Sequence, residues 1–316
     1  MEPDASQLIA REKQWETRAG IAALAGAVIA LVGFVLLQRS LGGDTNFEGL
    51  QEAHEKSSTI WLSGVATAIG YALLIGPLLY LFRAAEARSP QVRGQLVGLV
   101  FLGPLLLGIA GLLLAAGTQQ AANTYLDGKA DSTLSPKEAQ TDCLQKRKED
   151  SAKDFAGEFE GDNPGGPLAA CQAQKREEDR ASNAIEDSSV VTFGKFVGFA
   201  GGLSLVVALF YTGLWSLRTG LLSRFWGSLG MAVGIAALLG LTPFALLWFA
   251  YLGLLLLGRA PGGKPPAWEA GEAIPWPTPG EKAAAELESS SSVAPVDDAT
   301  PPPSAGSERR KRKQRD

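Results

Sequence analysis

Membrane-length runs of apolar residues alternate with charged segments along this 316-residue chain. The average composition, 46% hydrophobic and 20% charged, conceals this segregation. A helix needs about 20 mostly apolar residues to cross the roughly 30 Å hydrocarbon core of a bilayer. Runs of that length with little or no charge predict membrane-spanning helices, and they lie at 19–38, 59–82, 94–117, 192–217 and 225–258.

The last run, 225–258, differs from the others in length. As one helix it would be about 51 Å long at 1.5 Å per residue, more than ordinary tilt absorbs. Gly240 and Pro243 near its middle favour a turn, because proline lacks the N–H donor and disfavours helix at the preceding residue. We therefore expect two short helices, 225–240 and 243–258, and favour six spans over five. Because each is short, tilt, local thinning of the bilayer and a re-entrant hairpin remain open.

These spans predict an all-α membrane protein: a six-helix transmembrane bundle with one long extracytoplasmic loop and a disordered cytoplasmic tail. The segments are a cytoplasmic N-terminus, helices 1–3, the extracytoplasmic loop (partly helical), helices 4–6 and the tail. Their predicted bounds are 1–18, 19–117, 118–188, 189–258 and 259–316.

Arginine placement predicts the orientation. Short loops on the cytoplasmic side of a membrane are enriched in Lys and Arg. Two short loops that fall on the same side carry Arg83, Arg88, Arg93, Arg218 and Arg224. This pattern predicts a multi-pass protein of the plasma (inner) membrane with both termini in the cytoplasm. Five spans would instead leave the basic end of the chain outside.

The two cysteines, Cys143 and Cys171, both lie in the long loop 118–188. Two thiols alone in a solvent-exposed loop most readily form a disulfide outside the cytosol, so the pair agrees with an extracytoplasmic loop. The loop has few large apolar residues, and the chain-entropy model gives such a bridge about 3–4 kcal/mol of stabilisation. Two unrelated reduced thiols in a disordered loop are the alternative.

Local signals predict two polar helices in this loop. Ser135 and Glu138 have the spacing of a capping box, with proline at the first helical position, and the helix can continue to about residue 153. The Pro- and Gly-rich run 162–167 predicts a break. A second helix can follow over 168–185.

The segment 259–316 has the composition of a disordered tail, rich in Pro, Gly, Ala, Ser and acidic residues. Trp268 and Trp276 are suited to the headgroup region or to a polyproline-like partner motif. The basic end can attract anionic lipid headgroups at about 1 kcal/mol per charge near the surface. It consists of Arg309, Arg310, Lys311, Arg312, Lys313 and Arg315. A solvated charged end is the alternative, and a net charge of −4 argues against a nucleic-acid partner.

Candidate chemistry is sparse. The span centres carry no ionisable residue, which argues against proton-coupled or ion-coupled transport and against intramembrane proteolysis. With one histidine, His54, and no phosphate-binding loop, zinc-protease or CxxC motif, the sequence indicates no enzyme and no cofactor or metal site. Mild polar groups within the spans are candidates for lining a cavity: Ser63, Thr67, Tyr71 and Tyr211.

Glycines four residues apart predict close helix packing, because they put small residues on one helix face. Such sets are Gly94 and Gly98; Gly194, Gly198 and Gly202; and Gly230 and Gly234. Packing within the chain is the preferred interpretation. Homo-oligomerisation through one of these faces is the alternative.

Three features resemble bacterial multi-pass membrane proteins assigned to families of unknown function. They are the arginine-bearing loop 83–93, the run 220–226 that leads into a glycine-rich helix, and the Trp- and Pro-containing run 271–276. The resemblance covers spans 2 to 6 and implies neither an activity nor a catalytic residue.

The sequence therefore predicts an integral membrane protein that serves as a structural or interaction scaffold and presents a disulfide-clamped external loop. Its expected partners are the lipid bilayer and a protein bound through loop 118–188 or tail 259–316. The alternative is a transporter or channel for a small or lipid-like substrate, which would need a continuous polar path.

Overall fold

The computed structural model describes residues 5–40, 45–149, 159 and 165–277. These residues form helices and turns, with no strand among them. In chain order the helices are α1 (Ala5–Ser40), α2 (Asn46–Glu55), α3 (Ser57–Arg88), α4 (Val97–Leu126), α5 (Pro136–Glu149), α6 (Gly166–Glu186), α7 (Ser189–Arg218), α8 (Arg224–Leu238), α9 (Thr242–Leu256) and α10 (Ala267–Ala270).

Four of these helices, α1, α3, α4 and α7, are long and apolar enough to cross a membrane. The chain is therefore an all-helical membrane protein over its described residues. The apolar helices α8 and α9 are shorter, about 22 Å each at 1.5 Å per residue.

The six apolar helices close into a ring. Their packing follows the order α1, α3, α4, α7, α8, α9 and returns to α1. At one end of the ring lie α2, α5 and α6, and we call the pair α5 and α6 the cap. At the other end, called here the terminal end, lie the first turns of α1, the turns after α3 and α7, and the segment after α9.

Glycines bring the long helices into close contact. A Cβ atom added at Gly70 of α3 would lie 2.5 Å from the backbone nitrogen of Ala30 in α1, and one added at Gly64 would lie 2.7 Å from the Cβ of Ala115 in α4. In the part of the ring nearer the terminal end, large side chains fill the interior, with Trp248 and Phe82 almost fully buried.

The outer surface of the ring is apolar. Exposed side chains on α7 recur every three or four residues, which is the helical period, at Phe193, Phe196, Phe199, Leu203, Val207 and Phe210. An exposed apolar stripe of this length marks a surface that faces lipid.

The turn between α8 and α9 lies near mid-height of the bundle. Leu238, the last residue of α8, packs beside Gly202, close to the middle of α7. The Tyr71 side chain, near the middle of α3, lies beside the side chain of Thr242, where α9 begins. Both contacts are with residues near the middle of a long helix, so both place the α8–α9 turn near mid-height of the bundle.

Gly240 explains how so tight a turn forms. It has φ +84°, which is available to glycine at little cost, and its N–H donates to Ala237 O. The N–H of Leu241 reaches back to Ala236 O at 2.8 Å. This pair of bonds is the Schellman motif, which satisfies carbonyls at the end of α8 without water.

Residues 259–277 differ from the disorder that the sequence predicts for them. Trp268 donates its indole N–H to Leu221 O at 2.9 Å, and Trp276 donates to Leu222 O at 2.8 Å. The amino-acid composition of residues 259–277 is typical of a solvated segment, but the two indole hydrogen bonds anchor this segment to the turn after α7. Residues 278–316, which include the predicted basic cluster at 309–315, lie outside the described residues.

Candidate functional site

The cap is held together by the pair that the sequence analysis predicts. Cys143 of α5 and Cys171 of α6 are joined by a disulfide, with 6.0 Å between their Cα atoms. Both cysteines are fully buried, and they pack with Phe159 and Leu168 in a small apolar cluster. Because this cluster is small, the disulfide is the main connection between the two helices.

The predicted capping box at the start of α5 is confirmed. The Ser135 hydroxyl accepts from the N–H of Glu138 at 3.3 Å, and the Glu138 carboxylate accepts from the N–H of Ser135 at 2.9 Å. The described part of α5 ends at Glu149. Apart from buried Ala139 and Cys143 and half-buried Lys146, its side chains are exposed, so α5 presents a polar surface to solvent.

By contrast, α6 is bonded to α2. The Glu178 carboxylate accepts hydrogen bonds from the backbone N–H groups of Asn46 at 3.0 Å and Phe47 at 3.3 Å. Negative charge is favourable at this helix N-terminus, where N–H groups have no partner within the helix. The Asn46 side chain also donates to Ser182 Oγ at 3.1 Å.

A second set of bonds joins α6 to the end of α4. The Tyr125 hydroxyl donates to Glu177 at 2.8 Å, and Arg180 Nε donates to Ala130 O at 3.0 Å. Ala181, on the same side of α6, is fully buried against α2 and α4 residues. These contacts make α6 part of the bundle end.

Asp179 organises the loop before α5. Its carboxylate accepts from the Leu134 N–H at 3.0 Å and the Ser132 hydroxyl at 2.8 Å, with Thr133 beside them. Burial raises the pKa of Asp179, but the hydrogen bonds from Leu134, Ser132 and Thr133 outweigh it and bring the pKa below its ordinary value. The ionised carboxylate therefore holds residues 132–134 on α6.

Each of the four hydroxyl residues predicted to line a cavity makes a contact within the bundle. Ser63 donates to Ile60 O within its own helix, and the Tyr211 hydroxyl accepts from the Arg93 N–H at 2.7 Å. Thr67 packs against Gly33, and the Tyr71 side chain lies beside Thr242 at the start of α9. None of the four lines the surface groove between α1, α3 and α4 or the pocket beside Lys264.

The terminal end contains a buried ion pair that was not predicted from the sequence. Both guanidinium NH groups of Arg88 donate to the Glu12 carboxylate, at 2.6 and 2.8 Å, and Nε donates to Ala267 O. The Arg88 side chain has no solvent exposure and lies 5.4 Å from the Trp268 ring. Tyr80 stacks on the other side of this indole. The cluster therefore joins α1, α3 and α10.

The glycine sets predicted to pack helices are largely occupied within the chain. Gly194 lies against Leu113 and Leu114 of α4, and Gly230 lies against Trp248 of α9. This agrees with the preferred interpretation. Gly98 is different, because a Cβ added there would meet no atom within 4 Å.

Within the described ranges, no group of three His, Cys, Asp or Glu side chains is arranged as a metal site. Comparison with known proteins found no matching protein family, no matching curated protein and no matching solved structure. The resemblance to families of unknown function stays a prediction.

Proposed function

We propose that this chain is a plasma-membrane scaffold, whose disulfide-clamped cap is recognised by another protein outside the cytoplasm. The observation that supports this most directly is the unequal attachment of the two cap helices. While α6 bonds to α2 and α4, the described part of α5 packs mainly on α6 and exposes most of its polar surface. A clamped polar helix with no part in the bundle is suited to display.

The proposed orientation has the terminal end in the cytoplasm. Arg88 is neutralised by Glu12 and contributes little to this argument. Four other arginines lie at that end, in the turn after α3 or near the ends of the helices beside the turns: Arg83, Arg93, Arg218 and Arg224. Their side is the expected cytoplasmic side. The disulfide at the opposite end agrees, because disulfides persist outside the cytosol.

We further propose four full spans and one re-entrant hairpin in place of six spans. The support is the height of the α8–α9 turn, beside Gly202 and Tyr71 near the middle of their helices. Leu239 and Leu241 at the turn are exposed, and neither they nor their neighbours carry charge, as residues within hydrocarbon require. A re-entrant hairpin leaves both termini on the cytoplasmic side, as six spans would.

Photo-crosslinking in intact cells tests the proposed recognition. A photoactivatable amino acid replaces Gln140 or Lys148, both exposed on α5. We expect a discrete protein adduct at these positions, and its loss when Cys143 and Cys171 are replaced by serine. The matched control is the same amino acid at Val207, on the lipid-facing stripe of α7.

Two results would count against the scaffold. One is the absence of any protein adduct at both α5 positions. The other is an adduct pattern identical to that at Val207, since that would reflect crowding in the membrane rather than recognition of the cap.

The alternative, a transporter or channel, has weaker support. None of Ser63, Thr67, Tyr71 and Tyr211 lines the groove between α1, α3 and α4, and large apolar side chains fill the bundle interior nearer the terminal end. Substrate uptake into vesicles that contain the purified chain, above the level of empty vesicles, would favour this alternative instead.

A further inference from the structure

A groove of about 1180 Å³ runs along the outer side of α3 at the terminal half of the bundle, between α1 and the start of α4. Small residues form its floor, among them Ala22, Gly76 and Gly98. Trp15 and Phe101 are large, exposed side chains on its two rims. The groove is thus a concave strip in a surface that is elsewhere covered by large apolar side chains.

Its depth in the bundle follows from the pairing of the helices. Gly76 lies about 7 Å from mid-height Tyr71, at 1.5 Å per residue, and Arg83 lies about 10 Å further toward the terminal end. Phe101 lines the groove on α4, whose chain runs opposite to α3. The groove therefore extends from the polar boundary of the apolar belt into its interior.

The mouth of the groove is polar and carries excess positive charge. Arg18 lies 5.3 Å from the Trp15 ring, and Arg83 bonds to Glu86 at 2.7 Å in an exposed pair. Such an exposed pair contributes about 0–1 kcal/mol, so Arg83 can turn to another anion at little cost. Because the nearby Glu12 is already neutralised by Arg88, the two arginines Arg18 and Arg83 face one further carboxylate in the groove, that of Glu86.

We propose that this groove binds a phospholipid from the cytoplasmic leaflet. One acyl chain lies over Ala22, Gly76 and Gly98, and the headgroup phosphate lies between Arg18 and Arg83.

Three reasons support a lipid as occupant. An open groove in the apolar belt is bathed in acyl chains, and leaving it empty would forfeit dispersion contacts along its walls. The phosphate matches the guanidinium groups at the mouth. The volume lies above the range of small-molecule sites, about 300–1,000 Å³, which suits a larger occupant such as a lipid. The proposal rests on the four membrane-spanning helices and, for the choice of leaflet, on the proposed orientation, but not on recognition of the cap.

The test measures lipid retained by the full-length chain after purification in a mild detergent, by native mass spectrometry and phosphorus content. Substitutions at Gly98 form a graded series, because an added Cβ meets no atom within 4 Å and helix α4 tolerates a side chain there. Gly98→Ala leaves most of the groove open, while Gly98→Leu and Gly98→Trp fill it progressively. Gly76 is left unchanged because a proline follows it.

We expect the wild-type chain to retain phospholipid, Gly98→Ala to behave similarly, and Gly98→Trp to lose retention by about tenfold, a 1.4 kcal/mol change. The double variant Arg18→Gln, Arg83→Gln should lower retention of anionic phospholipid more than that of zwitterionic phospholipid. Val207→Leu, on the exposed stripe of α7, is the matched control and should retain lipid as the wild type does.

Equal retention by wild type and Gly98→Trp would overturn the proposal, since it would mean a non-specific lipid annulus. Purification of the wild-type chain with no bound phospholipid would also overturn the proposal. If Gly98→Trp fails to fold, the wild-type chain is instead crosslinked to a photoactivatable phospholipid, and the peptides that carry lipid adducts are identified. Adducts on peptides that contain Trp15 or Phe101 support the groove, and adducts confined to α7 overturn it.

Discussion

Arg88 lies in the last turn of α3. From the sequence alone, it is one of the five arginines that are expected to orient the chain in the membrane. The structure places its side chain out of solvent, with hydrogen bonds to the Glu12 carboxylate and to the carbonyls of Ala84 and Ala267. A guanidinium removed from water needs such partners to offset its desolvation. Its role is therefore to connect α1, α3 and the segment after α9.

Arg88→Met should destabilise the chain, because it leaves the half-buried Glu12 charge without its partner. Breaking a buried pair in this way costs about 3–5 kcal/mol. Arg83→Met, one turn earlier in α3, removes an exposed pair and should cost no more than about 1 kcal/mol. Thermal unfolding of both variants in detergent measures the difference. Equal losses of stability would mean that the buried Glu12–Arg88 pair contributes no more than the exposed Arg83–Glu86 pair.

At the scale of elements, the cap consists of two helices with different attachments. The N-terminal signal of α5 is local and follows from the Ser135–Glu138 capping box. The position of α6 follows from contacts distant in sequence, such as those of Glu178 with the start of α2. A change in α5 should therefore act on the cap alone, whereas a change on the bonded face of α6 also affects the bundle end.

Acid should weaken the contact between Asp179 and residues 132–134. Since the folded-state pKa is lowered, this contribution to stability is present above the unfolded value of about 3.9 and is lost as pH falls through the folded value. Asp179→Asn should lose about 1–3 kcal/mol at pH 7, because donors are left without the carboxylate. The unfolding temperatures of variant and wild type should converge as pH falls below the unfolded value and through the folded value. A constant difference between pH 7 and 3 would contradict this account.

Replacing Cys143 and Cys171 by serine should release α5 while the bundle stays intact. The bridge closes a segment with a sequence separation of 28, for which the chain-entropy model gives about 3–4 kcal/mol. Trypsin added to vesicles that expose the cap should then cut at Arg147 and Lys148 faster than in the wild-type chain. Arg180, bonded to Ala130, is the internal control and should stay protected in both proteins. Equal cutting at all three sites would mean that α6 also depends on the disulfide.

At the scale of the whole molecule, the bundle is asymmetric along its axis. Six helices pack at the terminal half, but only α1, α3, α4 and α7 continue to the cap, because the α8–α9 turn lies at mid-height. Length and hydropathy alone favour six spans over five and leave the re-entrant form open. The contacts of Leu238 and Thr242 favour the re-entrant form.

Cysteine accessibility separates the two topologies. In a chain with both native cysteines replaced by serine, Leu239→Cys should resist a membrane-impermeant maleimide applied from either side, because the turn lies within hydrocarbon. Six spans would instead expose this position on the cap side. Gln145→Cys in α5 should react from the outside, and Ser223→Cys, between α7 and α8, should react only from the cytoplasmic side. Rapid outside labelling of Leu239→Cys would refute the re-entrant hairpin.

Features encoded by neighbours in the chain were predictable from sequence. The four long apolar helices need only their own hydrophobic residues, the α5 start needs residues three apart, and the glycine between α8 and α9 permits the turn. The cysteine pair was predictable as well, because the chain has no other thiol.

Features that join distant residues required the three-dimensional arrangement. Arg88 meets partners 76 and 179 residues away, and Trp268 bonds to a carbonyl 47 residues earlier, with no local pattern to reveal either. The height of the α8–α9 turn likewise depends on where α7 and α3 lie beside it. Hydropathy therefore indicates which segments prefer lipid, whereas packing and paired charges determine how deep each one goes and what it contacts.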